Sequence, residues 1–115
     1  MTDRELLEKA AKAAGLYSQG DETSRYGLFM GLSIRGDDNP SGYCWNPLAD
    51  DGDALRLAVT LRIDLYFGRR GSVLARGSVL AISHKGAIYD EHESADPYAA
   101  TRRAIVRAAA ALAGD

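Results

Sequence analysis

The sequence predicts an α+β domain in the order α-β-α-β-β-β-α, because apolar residues recur with helical period at its start, middle and end and alternate with period two between. Three helices and about four strands make up that order. With 115 residues the chain is long enough for one core and too short for two, so residues 1–115 form a single domain.

The first helix starts where Thr2 and Glu5 have capping-box spacing, and it places Leu6, Leu7, Ala10, Ala13, Ala14 and Tyr17 on one face, opposite Arg4, Glu8 and Lys12. Gly15 and the polar stretch from Ser18 to Ser24 predict a stop and a loop. A strand from Arg25 to Arg35 follows, with Tyr26, Leu28, Met30, Leu32 and Ile34 on one side. Gly27 and Gly31 lie on the other side, where local twist, a bulge or the close approach of another backbone or ligand accounts for them. The cluster Asp37 to Gly42 is a turn-rich loop. Acidic residues Asp50, Asp51 and Asp53 cap a second helix from Asp51 to Leu61, with Leu55, Ala58 and Val59 expected on its buried face.

Arg62 to Phe67 alternates as a half-buried strand, and Gly68-Arg69-Arg70-Gly71 turns the chain. The repeat Gly71-Ser72-Val73-Leu74-Ala75 and Gly77-Ser78-Val79-Leu80-Ala81 is too short for a solenoid. Lys85-Gly86 predicts a hairpin turn between Val79–His84 and Ala87–Glu91. Asp96 at the N-cap and Pro97 at the first helical position start the last helix, which runs to about Ala113. Its core stripe is Ala100, Ala104, Ile105, Ala108 and Leu112, while Ala99, Val106, Ala110 and Ala113 fall outside that stripe and suggest a second contact, such as a dimer partner.

Composition narrows the functional classes. Hydrophobic residues at 46% and charged residues at 26% describe an ordinary globular chain. A net charge of -2 argues against nucleic acid, whose binders draw on counterion release by clustered cations. The single Cys44, the charged N-terminal residues and the absence of an apolar run of roughly 18 residues predict a cytoplasmic protein without membrane contact.

Few constellations suggest chemistry. His84 with Asp90-Glu91-His92-Glu93 has metal-ligating types, but a hairpin turn at Lys85-Gly86 separates the two histidines by on the order of 15 Å, so no metal is expected there. Cys44 lacks a recognisable histidine partner, and neither a Gly-x-Ser-x-Gly elbow nor a phosphate-binding glycine loop occurs. No catalytic residue and no cofactor is assigned, and the chain is not read as an enzyme. Arg62, Arg69, Arg70, Arg76, Arg102, Arg103 and Arg107 are spread over several elements; some of them could hold an anion. Trp45-Asn46-Pro47-Leu48 is either a recognition platform or a staple fastening its loop to the core.

Trp45-Asn46-Pro47-Leu48, the helix entry Asp50-Asp51-Gly52-Asp53-Ala54 and the closing helix from Asp96-Pro97-Tyr98-Ala99-Ala100 to Arg107-Ala108-Ala109 resemble the phage ABA sandwich domain family. The resemblance spans most of the chain. It implies an αβα sandwich, with an antiparallel sheet between helices, in a small bacteriophage or prophage protein of unknown molecular function inside the host bacterial cell. It supplies no catalytic residues.

The leading expectation is a non-enzymatic accessory protein that binds an unidentified host or phage protein, with a homodimer through the C-terminal helix as a further contact. Its candidate surface is Trp45, Asn46, Arg102, Arg103, Val106 and Arg107. The alternative is binding of a small anionic metabolite or nucleotide, Trp45 stacking on a base and arginines holding phosphate. A third reading is an unrecognised enzyme using Asp50, Asp51 and Asp53 around a divalent metal.

Overall fold

The computed structural model describes residues 1–35, 42–67, 78–83, 88–92 and 96–113. Among the described residues, three helices alternate with two groups of three strands: α1 (Asp3–Ala13), β1 (Ser18–Thr23), β2 (Phe29–Ile34), β3 (Tyr43–Trp45), α2 (Asp51–Leu61), β4 (Asp64–Phe67), β5 (Ser78–Ile82), β6 (Ile88–His92) and α3 (Pro97–Leu112). The α+β class and the three helices agree with the sequence. The strands form two antiparallel sheets, ordered β1-β2-β3 and β4-β5-β6, so the expected sheet of about four strands becomes two of three.

The helix starts are where the local chemistry puts them. Thr2 and Glu5 form the reciprocal capping box of α1, Asp50 accepts from the Asp53 amide at 2.8 Å, and Asp96 accepts from the Tyr98 and Ala99 amides at 3.0 Å. Each cap satisfies amides that the first helical turn leaves without a partner. Arg62 ends α2 in the left-handed region, φ 54°, and turns the chain directly into β4.

The largest departure is in the first sheet. Ser18 to Thr23, expected as a loop, is an edge strand whose exposed polar residues carry no apolar alternation to reveal it. The expected strand from Arg25 begins only at Phe29, because Ser24 organises a turn ahead of it. Its hydroxyl accepts from the amides of Tyr26 and Leu28, its carbonyl accepts from Gly27, and its amide donates to Leu28. Tyr26, Leu28 and Met30 are therefore exposed, while Leu32 and Ile34 farther along β2 reach the core. The hairpin expected around Lys85-Gly86 is present as the β5–β6 pair, Ile82 opposite Ile88. Its turn, the loop at 37–41 and the repeat's residues 71–77 lie outside the described residues.

The core joins Leu7, Ala10 and Ala11 of α1, Leu32 and Ile34 of β2, Trp45, Ala54, Leu57 and Ala58 of α2, and Ala104, Ile105, Val106, Ala108 and Ala109 of α3. Helix α3 packs against α1, α2, β5 and β6. Val106, assigned from the sequence to an outward face, is 0% exposed, and Ala110 is also buried. Val106 and Ala110 thus meet contacts within the chain, while Ala99 and Ala113 at the two ends of the flank are half-buried. On α2 the buried stripe is Ala54, Leu57 and Ala58, while Leu55 and Val59, expected inside, face out. Two apolar stripes overlap in Ala54-Leu55-Arg56-Leu57-Ala58-Val59, and packing selects the narrower one.

Gly31 explains how β2 and β3 fit. Its φ is +144°, and a Cβ there would sit 2.6 Å from the Trp45 carbonyl oxygen and 2.9 Å from the Asn46 Cβ. Close backbone approach, one of the sequence readings, is the reason for this glycine. Gly31→Ala is expected to destabilise the fold by about 2 kcal/mol or more, whereas Gly27→Ala, at φ +80° in open space, should cost less. Thermal unfolding of the two variants checks the difference.

Candidate functional site

The loop from Asn46 to Asp50 is fastened through its Asn46 side chain and through backbone groups on either side of it. Asn46 donates from Nδ2 to the Met30 carbonyl at 2.9 Å, accepts at Oδ1 from the Leu48 amide at 3.1 Å, and donates its own amide to Asp53 Oδ2 at 3.0 Å. The side chain thereby makes a local turn and ties it to β2. Asp53 is buried, and its other oxygen takes a 2.8 Å hydrogen bond from Arg56 Nη2. That bond raises the Arg56 pKa, so the guanidinium is held still more firmly in its charged form.

From the opposite side Arg102 of α3 donates Nε to the Leu48 carbonyl at 2.8 Å and Nη1 to Asp51 Oδ1 at 2.7 Å. Its side chain is only 16% exposed. One planar guanidinium thus joins α3 to the loop and to the first turn of α2.

These contacts decide the fate of the sequence candidates. Trp45 and Asn46 lie together with Arg102 around the loop, but Trp45 is 4% exposed and offers no open ring face on which a base could stack. The loop is a staple, the second of its two sequence readings. Arg103 reaches the other way and pairs with Asp3 of α1 at 2.9 Å. Val106 is interior, and Arg107 is half-buried one helical turn beyond Arg103. Arg69, Arg70 and Arg76, offered as anion ligands, and His84 and Glu93 of the metal reading lie outside the described residues.

Asp50, Asp51 and Asp53 are each engaged by the chain itself, as a cap, as the Arg102 partner and as the Asn46–Arg56 anchor. The Cys44 thiol lies against the Met30 carbonyl at 3.5 Å. Partial burial, then the Glu22 and Asp53 carboxylates, push its pKa up and lower its thiolate fraction.

The structure reveals a different feature, a groove of about 480 Å³ walled by the first turns of α2 and α3 and by β4. Ala54 and Leu55 come from α2, Leu65 and Phe67 from β4, and Tyr98 and Ile105 from α3, with the Arg102–Asp51 pair among the lining residues. Its lining is mostly apolar side chains around one internally neutralised ion pair, a composition suited to hydrophobic contact. Leu65 and Phe67 are two residues apart and share the groove face of the strand. Sequence reasoning missed this site because Leu55 was placed in the core and Tyr98 was read only as part of the helix start. The available signal was the second apolar stripe of α2, Leu55 with Val59, for which the core has no room.

Arg102→Ala should destabilise the fold by about 1–2 kcal/mol, and Arg102→Lys should recover only part of that loss because an ammonium cannot reproduce the guanidinium's two fixed directions. Asp53→Ala leaves the Asn46 amide without its acceptor and is expected to cost about 1–3 kcal/mol. Arg56→Ala, which removes the solvent-side partner alone, should cost less. Denaturant unfolding at constant m-value compares the three sites.

No family model, curated protein or solved structure matches this chain.

Proposed function

We propose that this protein is a non-enzymatic binding module, a phage- or prophage-encoded accessory protein that acts by holding a host protein in the groove between α2, β4 and α3. The phage context rests on the motif resemblance. The binding reading rests on one observation: Leu55, Phe67 and Tyr98 are large, exposed and gathered along a single concave surface. Scattered surface leucines need no explanation, but apolar side chains collected in one cleft mark a place where water is readily displaced.

The groove suits an apolar segment of a protein better than a phosphorylated metabolite. Its one guanidinium, Arg102, is already committed to Leu48 and Asp51, and its apolar walls supply no other cation among the described residues. A partner would bury Leu55, Phe67 and Tyr98 at the centre of its contact, where aromatic anchors contribute most.

Affinity capture from a bacterial host lysate tests the reading when wild type is compared with Leu55→Glu and with Tyr26→Ser, in the exposed turn between β1 and β2. The expected result is a stoichiometric protein retained by wild type and Tyr26→Ser and reduced at least about tenfold by Leu55→Glu. Retention by Leu55→Glu would exclude the groove, and no retained protein at all would remove the host-partner reading.

A further inference from the structure

Among the described residues β4 is an edge of its sheet, and after Asp64 it carries neither the register shifts and charges of β1 nor the charges of β6. Strand β1 carries two register shifts and the charged pair Asp21-Glu22, β3 has three residues, and β6 includes Asp90-Glu91. In β4 the run Leu65-Tyr66-Phe67 has no charge, no proline and no register shift against β5. Tyr66 and Phe67 point to opposite faces of the strand and are 56% and 58% exposed.

We infer that β4 is a self-association edge on which a second copy of this chain adds its own β4, antiparallel, across a two-fold axis. A two-fold normal to the sheet preserves its faces, so paired residues must have the same parity. The register that keeps the three apolar residues together sets Tyr66 opposite the other copy's Tyr66, and Leu65 opposite its Phe67. An aromatic pair then meets on one face and aliphatic–aromatic pairs on the other, an arrangement that favours cross-strand pairing. Asp64 falls outside the paired run, so no like charges are brought together in it. On the groove face the second Leu65 and Phe67 prolong the apolar surface that already holds the first pair.

The area at hand sets the strength. An aromatic side chain buries about 150–250 Å², so the exposed parts of Tyr66 and Phe67 provide on the order of 100 Å² each. Including Leu55 and Tyr98 along the adjoining groove, 61% and 70% exposed, brings the apolar total to roughly 400 Å² per copy. That is about half of the ~800 Å² each partner contributes to a standard stable interface, so the dimer is weak and reversible. The association needs no host partner, and its test is independent of that reading.

Sedimentation equilibrium over about 5–500 µM covers the range for such a contact. Wild type should rise from monomer toward dimer mass. Tyr66→Lys and Tyr66→Glu, both at an exposed position, should each weaken association at least about tenfold by placing like charges face to face. An equimolar mixture of the two should regain dimer, because opposite charges then meet at the same point; that recovery also shows that both variants are folded. A wild type that stays monomeric, single variants that associate like wild type, or a mixture that remains monomeric each overturns the β4 pairing.

Discussion

Helix α3 touches α1, α2, β5 and β6, and the shortness of its side chains is what lets one helix serve so many neighbours. Ala104, Ala108 and Ala109 are fully buried, and Ala100 and Ala110 nearly so. A methyl group keeps the neighbouring backbones close and gives up no rotamer freedom, while alanine has the highest intrinsic preference for the helix. The same choice makes α3 intolerant of added bulk, since a longer side chain at any of these positions would meet a packed element rather than solvent. Ile105 and Val106 supply the larger volumes in this otherwise small-residue helix.

Everything next to the start of α3 depends on how that helix is held. Arg102 connects it to the Leu48 carbonyl and to Asp51, and Arg103 one residue later connects it to Asp3. Because successive helical positions diverge by about 100°, the two arginines reach different partners. Arg102 fixes the distance between the first turns of α2 and α3, which are two walls of the groove. Asp53 and Asn46 fix the loop entering α2 from the other side. The groove is therefore bounded by two capped helices and β4, and an ion pair between the helices holds its walls.

The helix boundaries were legible in the sequence because capping is local. Thr2 with Glu5, Asp50 with Asp53, and Asp96 with Pro97 act within four residues, and all three helices begin where those pairs place them. The division into two sheets was not legible. It depends on β1, whose polar residues pair with β2 through backbone groups that every residue possesses. Nor could the pattern choose between the two apolar stripes of α2, since that choice is made by the space left beside Trp45 and α3. Trp45 itself was legible as distinctive, but only its surroundings decide between platform and staple. The groove arises from residues far apart in sequence, Leu55, Phe67 and Tyr98, and no local spacing records their meeting.

The core and surface divide apolar volume in an unusual way. Much of the interior is filled by alanine, while Leu55, Val59, Tyr66, Phe67 and Tyr98 remain outside. If burial within the chain were the only demand, larger residues would add more stabilisation inside, at roughly 25 cal/mol per Å² of apolar surface removed from water, and polar residues would serve the outside better. The close helix contacts exclude that exchange, because α3 can approach its four neighbours only with small side chains. The large side chains are thus displaced to α2's outer stripe, to both faces of an edge strand and to the first turn of α3. Three of them, Leu55, Phe67 and Tyr98, line one cleft, while Val59 and Tyr66 lie outside it. A surface of this kind is stabilised when something covers it, and the edge strand and the groove offer two different means of doing so, backbone pairing along β4 and side-chain burial between α2 and α3.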